Sequence, residues 1–288
     1  MPDPTWRTLW DEAVPAAGGR AQARWVCEEA SGVVGDEFGE ILDQPPTARM
    51  LAHLDSMLGR LRSGEPLQYV LGHWAFRHLD LMVDRRVLIP RPETELVAEV
   101  AIAAAATMLD EGGSVVRCVD LGTGSGAIGL SIAFELPRGR SEVWVTDAST
   151  GALDVARANV AGLGIAGGGV RFAQGSWYEA LPDELLGSVD LMVANPPYVA
   201  DGDDALEQSV RDWEPHGALF AGGDGLADIR IIVEGSRRWL RPGGVLVLEI
   251  GADQGEAVLA LLDAAGLVQP EVRNDLAGRP RIAIAAAP

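Results

Sequence analysis

Asn195-Pro196-Pro197-Tyr198 follows Val189-Asp190-Leu191-Met192-Val193-Ala194, a short apolar run of the kind that forms a buried strand. Two prolines end such a strand, because neither can donate a ladder hydrogen bond, and they leave a stiff backbone with unpaired carbonyls. The Asn side-chain oxygen and a Pro carbonyl can accept two N–H bonds, and the Tyr ring can lie on a planar group. The set suits a flat amide or amine. Taken alone, the tetrapeptide reads equally well as a proline-rich loop after a strand.

A second set is Val119-Asp120-Leu121-Gly122-Thr123-Gly124-Ser125-Gly126-Ala127-Ile128-Gly129, where a strand pattern gives way to a helix pattern. Glycines there let the backbone approach a ligand at a tight turn. Gly124, Gly126 and Gly129 satisfy G-x-G-x-x-G, and Asp147 lies 23 residues past Gly124 at the end of the next strand pattern, the spacing of an acid that holds ribose hydroxyls. A nicotinamide dinucleotide is therefore one reading. Against it, Asp120 stands at the strand end, where it would repel a pyrophosphate and welcome a cationic methionyl ammonium. No nicotinamide chemistry follows, and Asn195-Pro196-Pro197-Tyr198 falls at the same carboxyl edge, where open α/β sheets bind ligands.

The elements that must position these residues follow from periodicity. Residues 1–63 read as a small helical domain: Trp6, Leu9, Trp10 and Val14 recur at helical spacing, Gly32 closes a second helix, and Met50, Leu51, Leu54, Met57, Leu58 and Leu61 share one face of a third. Residues 64–92 read as a β-hairpin linker, with strands over Pro66–Gly72 and Leu79–Val83. Pro92 suits a first helical position, with Glu93 and Glu95 in the first turn. Residues 93–288 form the third region. Strands near 115–121, 142–147, 169–174, 189–194 and 244–250 alternate there with helices near 127–136, 149–162, 226–240 and 253–265. That order predicts an open, mostly parallel α/β sheet. Stretches near 267–273 and 280–286 predict a hairpin at its edge, and Gly164–Gly169 a loop.

Composition narrows the function classes. The 288 residues are 48% hydrophobic and carry a formal charge of −19, from 23 basic and 42 acidic side chains, with Arg as the basic residue throughout and no Lys. So acidic a chain is poorly suited to gripping a phosphate backbone. Cys27 and Cys118 fall in helix and strand patterns and read as small core residues, which points to the cytoplasm. Met1-Pro2-Asp3-Pro4-Thr5-Trp6 lacks the pattern of a signal peptide. The longest apolar stretch, Val100–Leu109, is too short for a membrane span. His53, His73, His78 and His216 show no metal-ligand spacing, so no metal is expected.

Asp120-Leu121-Gly122-Thr123-Gly124-Ser125-Gly126 with Asp147 resembles the S-adenosylmethionine site of Rossmann-like class I methyltransferases. The resemblance implies that Gly122, Thr123, Gly124, Ser125 and Gly126 wrap the cofactor, that Asp147 binds its ribose, that Trp177 borders its adenine, and that Asn195 touches it too. Over nearly the full length, the chain resembles the release factor N5-glutamine methyltransferases, the PrmC/HemK family. The residues that carry this are Gly64-Glu65-Pro66-Leu67-Gln68-Tyr69 with Gly72 and Phe76, Ile89-Pro90-Arg91-Pro92-Glu93-Thr94-Glu95, Asn195-Pro196-Pro197-Tyr198, Glu214-Pro215 with Ala218-Leu219, Gly225-Leu226-Ala227-Asp228-Ile229, and Glu249-Ile250-Gly251 with Gln254. Ala75 departs from it, standing where many members have an acid.

The family resemblance implies methyl transfer from S-adenosylmethionine to the side-chain amide nitrogen of the Gln in a Gly-Gly-Gln loop of peptide chain release factors. Asn195 and the Pro196 carbonyl would hold the amide N–H groups, and Pro197 and Tyr198 would pack on the substrate. The N-terminal helices would help recognise the release factor. A cytoplasmic, monomeric enzyme without nucleic-acid or membrane partners is expected. The rivals are an adenine N6 methyltransferase acting on nucleic acid, which also uses Asn-Pro-Pro-Tyr, a methyltransferase of another protein glutamine, and a non-catalytic binding module.

Overall fold

The computed structural model describes residues 3–202 and 207–288. Part of the expected signal-less N-terminus (Met1, Pro2) and part of the acidic run Asp201–Asp204 lie outside the described residues.

The first elements are α1 (Trp6–Ala17), α2 (Arg20–Ser31), α3 (Asp36–Glu40), α4 (Ala48–Arg62) and α5 (Leu67–Leu71), followed by the hairpin β1 (His73–Phe76) and β2 (Leu79–Met82). Then come α6 (Pro92–Asp110), β3 (Val116–Leu121), α7 (Ala127–Glu135), β4 (Ser141–Asp147), α8 (Thr150–Gly162), β5 (Val170–Gln174) and β6 (Val189–Ala194). The remainder is α9 (Gln208–Trp213), α10 (Ala227–Trp239), β7 (Leu240–Glu249), α11 (Gly255–Ala264), β8 (Val268–Asn274) and β9 (Pro280–Ala286).

Two compact units emerge. One runs to His73 and takes in Gln208–Trp213; the other holds Trp74–Glu207 and Glu214–Pro288. The helical unit packs around Trp6, Val26, Cys27, Phe38, Leu54 and Met57, all buried. Gly18 and Gly32 stop α1 and α2 with left-handed φ of 81° and 71°.

The segment Leu67–Leu71, expected as a strand, is a short helix. Pro66 precedes it, and Gly72 at φ 83° ends it by donating its N–H to Gln68 O. Arg60 on α4 caps its exposed carbonyls, donating to Tyr69 O and Val70 O. The hairpin is displaced accordingly to β1 and β2, which turn at Arg77, a non-glycine residue at φ 52°. The glycine run Gly164–Gly169 is a 3-10 helix and not a loop.

The second unit is built on a seven-stranded sheet of order β5-β4-β3-β6-β7-β9-β8, parallel through β7 and closed by the antiparallel edge pair β9 and β8. Alternate residues of each central strand point to opposite faces, and both are buried. Cys118, Val143, Val145, Leu191 and Val193 pack on one face with Val97 of α6 and Leu130 of α7. Val119, Leu121, Met192 and Ala194 pack on the other with Ile229, Ile232 and Val233 of α10. β7 begins at Leu240, earlier than the apolar run suggests, because Leu240 pairs with Val189 across an irregularity before the regular register resumes at Val245.

Chain order runs outward from β3 through β4 to β5, then returns to β6 on the other side of β3. The point of reversal is where open α/β sheets leave a crevice at their carboxyl edge. Register places Leu121 beside Thr146 and Ala194, and Ala194 beside Leu248. Gly122, Asp147, Asn195 and Glu249 therefore emerge together at that edge.

Candidate active site

The turn after β3 is made by three glycines with left-handed backbones, Gly122 (φ 70°), Gly124 (φ 56°) and Gly126 (φ 89°), which other residues adopt only with strain. Asp120, 1% exposed at the end of β3, organises it. Its Oδ2 accepts from Thr123 Oγ1 at 2.6 Å and from the Gly129 N–H at 2.9 Å. Burial pushes the Asp120 carboxyl up to about 6; the two donated bonds pull it down, and nearby Asp147 adds a smaller upward push.

Asp147 closes the turn from β4. Its Oδ2 accepts the Gly124 N–H at 3.0 Å and its Oδ1 the Ser149 N–H at 2.8 Å. Desolvation again raises this carboxyl, against those two bonds. Trp177, at a left-handed φ of 46°, is anchored by its indole N–H to Asp228 Oδ1 at 3.0 Å. Its ring lies over Gly122, where a Cβ would come within 3.1 Å of it, a tight contact added to the strain of the left-handed backbone.

These residues enclose a cavity of about 490 Å³. Of the residues predicted from sequence, Gly122, Thr123, Gly124, Ser125, Asp147, Trp177, Asn195 and Pro197 line it; Gly126, Pro196 and Tyr198 are not among its lining residues. Gly126 caps the start of α7 at a left-handed φ of 89°, where a Cβ would meet Leu130 at 2.8 Å. Pro196 is buried. Tyr198 points its hydroxyl to Glu249 Oε1 at 3.2 Å, and the Arg281 guanidinium lies 5.9 Å from its ring. Burial, chiefly, raises the Tyr198 phenol, keeping it a donor.

The cavity fits S-adenosylmethionine. A Cβ on Gly124 would meet no protein atom within 4 Å, so the space it would fill is cavity. Backbone glycines, Asp120 at the end of β3, Asp147 at the end of β4 and the Trp177 ring line it and could contact such a molecule.

The loop carrying Asn195 is braced from several directions. Gln254 Nε2 donates to the carbonyls of Tyr198 and Gly225, both at 3.1 Å, and the Gly251 N–H donates to Gln254 Oε1 at 2.8 Å. A Cβ on Gly225 would collide with the Tyr198 carbonyl at 2.4 Å. The Val199 N–H donates to Leu219 O, and the Ala221 N–H to Val199 O. Buried Glu214 accepts from the Ile89 N–H at 3.0 Å and from the Arg91 guanidinium. Thr94 and Glu249, both buried, meet behind Asn195. Sequence reasoning assigned no role to Thr94, Glu249, Glu214 or Asp228. Their signal was their place in motifs whose partners lie up to 155 residues away along the chain.

Comparison with known proteins agrees with this architecture. Residues 103–220 match the family model of the methyltransferase small domain. A release factor glutamine methyltransferase of Xylella fastidiosa is 43% identical over 246 residues, 85% of each chain. One of Burkholderia pseudomallei is 45% identical over 243 residues, 83% of this chain and 82% of the relative. The chain belongs to the release factor glutamine methyltransferase family. Membership makes it an S-adenosylmethionine-dependent methyltransferase, as the glycine turn and its acids suggested. Among solved structures, the N-terminal domain of human METTL16 in complex with SAH superposes at a TM-score of 0.51 with 17% identity, covering 73% of this chain and 76% of that one. A methyltransferase from Pyrococcus furiosus superposes at 0.50 with 15% identity, covering 81% and 98%. Likeness at that identity shows a shared fold, the class I methyltransferase architecture that the strand order already describes. In this family member the helical unit precedes that fold, and no helix among the described residues is long and apolar enough to cross a membrane.

Proposed function

We infer that the chain transfers a methyl group from S-adenosylmethionine to the N5 amide nitrogen of the Gln in the Gly-Gly-Gln loop of a peptide chain release factor. The observation that carries this is the position of Asn195. It lines the cofactor-sized cavity and stands directly after β6, in line with the glycine turn.

An amide nitrogen is a weak nucleophile because its lone pair is shared with the carbonyl. When bound, S-adenosylmethionine supplies an electrophilic methyl on a sulfonium. The protein's part is positioning. Asn195 Oδ1 and the Pro196 carbonyl accept the two N–H bonds of the substrate amide and fix the direction of its nitrogen. The same acceptors favour the positive charge that builds on nitrogen during transfer. Pro197 forms wall, and Tyr198, held by Glu249, flanks the amide plane. Gly122 to Gly126 carry the cofactor's backbone contacts, Asp147 its ribose, and Trp177 its adenine. Work on a release factor fits a monomer in the cytoplasm whose macromolecular partner is protein. The N-terminal helices, about residues 1–63, serve that partner, and the hairpin region joins them to the catalytic domain.

The test is transfer of labelled methyl to purified release factor, with mass mapping of the product. Label on the Gln of Gly-Gly-Gln supports the reading; label on adenine in nucleic acid or on another glutamine overturns it.

A further inference from the structure

The run Ile89-Pro90-Arg91-Pro92-Glu93-Thr94-Glu95 lines the cavity at Pro90 and Thr94, and Thr94 bonds Asn195. Thr94, in the first turn of α6, donates its hydroxyl proton to Glu249 Oε2 at 2.7 Å. Asn195 Nδ2 donates to the same Thr94 oxygen at 3.3 Å. Thr94 is 4% exposed and Glu249 1%. The carboxylate has a second neutral donor, the Tyr198 hydroxyl, at 3.2 Å on Oε1. Arg281, whose Nη1 lies 3.5 Å from that hydroxyl, favours the charged form of Glu249.

A threonine hydroxyl has one proton to give. Burial raises the Glu249 carboxyl, and the Thr94 hydroxyl, the Arg281 charge and the Tyr198 hydroxyl act against that rise by favouring the charged form. In that form the carboxylate can only accept, and it takes the Thr94 proton. Toward Asn195 the Thr94 oxygen is then an acceptor, and only the NH₂ end of the Asn195 amide can meet it. The amide is planar, so its oxygen is turned to the other side. Reversed, the Asn195 NH₂ would face the NH₂ of a substrate amide, donor against donor.

We propose that Thr94 and Glu249 are positioning residues that set the direction of the Asn195 amide, so that its oxygen and not its nitrogen meets the substrate glutamine. This rests on the reading of Asn195 as the acceptor of the substrate amide. Glu249 and Thr94 touch no reacting atom; they act through Asn195, and Glu249 acts also through Tyr198. The proposal gives the Ile-Pro-Arg-Pro-Glu-Thr-Glu run a second task besides starting α6.

Thr94→Val replaces the hydroxyl by a methyl of similar size and leaves Asn195 without its guide. The charge-assisted link it removes corresponds to about a 10- to 100-fold loss in kcat. Thr94 also lines the cavity, so the S-adenosylmethionine Kd is measured beside kcat, and the loss in kcat is expected to exceed any change in Kd. Thr94→Ser keeps the proton and restores kcat. Glu249→Gln can present an NH₂ to Thr94, reverse the hydroxyl, and lower kcat. Rates are normalised to the fraction of protein that binds cofactor, and Thr94→Ala serves as the hydroxyl-free variant if Thr94→Val does not fold. The deciding readout is the double variant with Asn195→Ala. If Thr94 acts through Asn195, adding Thr94→Val to Asn195→Ala costs nothing more in kcat. A full additional loss in the double variant, or a normal kcat in Thr94→Val beside a slow Asn195→Ala, overturns the relay. A normal kcat in Asn195→Ala itself overturns instead the reading on which it rests.

Discussion

The Asp147 carboxylate accepts the amide proton of Gly124 at 3.0 Å, tying the end of β4 to the left-handed turn after β3. One side chain thus serves two tasks, shaping the glycine turn and facing the cavity. Asp147→Ala should weaken S-adenosylmethionine binding by the value of a charge-assisted bond, roughly 1.5–3 kcal/mol, or about tenfold or more in Kd. Asp147→Asn keeps an acceptor for the Gly124 N–H and should retain part of the affinity. Calorimetric titration of both variants checks this; an unchanged Kd in Asp147→Ala would show that the residue only ends a strand.

The placement of Asp120 separates two nucleotide cofactors. A buried acid beneath the turn disfavours a pyrophosphate and favours a cationic ammonium. Titration with both ligands should give heat with S-adenosylmethionine and none with NAD. The opposite pattern would refute the cofactor assignment.

Asp120 also predicts a pH dependence. Burial raises its folded-state pKa to about 6. Below that pH the group is protonated in the cofactor-free protein, and a cationic ligand must displace the proton to gain the charge. Affinity for S-adenosylmethionine should therefore rise as pH increases through about 6 and level off above it. Asp120→Asn should bind more weakly at pH 7.5 and lose that step. Titrations between pH 5 and 8 decide; a step that persists in Asp120→Asn would have to come from another group.

Asn195→Ala should slow turnover far more than it weakens cofactor binding. Removing one polar contact that strengthens as charge develops typically costs about 10²–10³ in rate. Single-turnover methylation and thermal melting on one preparation distinguish this from a role in capping the strand, which would lower stability and leave the rate of the folded fraction normal.

Glu214, 4% exposed, accepts from the Ile89 backbone and from Arg91. Glu214→Ala strands both donors and should lower unfolding free energy by about 1–3 kcal/mol. Glu214→Gln retains an acceptor for one of them and should lose less. Denaturant melts of the two variants check the order; equal stability to the parent chain would mean that water replaces the carboxylate at no cost.

Local patterns determined much of this protein by themselves. The strands β3 to β7, the helices α7, α8, α10 and α11, the edge hairpin of β8 and β9, Pro92 at the start of α6 and the glycine turn with Asp147 were legible in the sequence, because each depends on periodicity, φ preference or short spacing; the six-residue α9 and the 3-10 helix over Gly164–Gly169 were not. Nor was Leu67–Leu71. Five residues are too few for a period to tell strand from helix, and what decided it was Arg60 reaching from α4 to cap the carbonyls of Tyr69 and Val70. The position of Tyr198 relative to the cavity, the hold of Asp228 on Trp177, and the line from Glu249 through Thr94 to Asn195 were likewise set by tertiary structure alone. A single sequence encodes residue types at positions. Which donor meets which acceptor across more than a hundred residues is decided when the sheet closes and brings the ends of β6 and β7 against the first turn of α6.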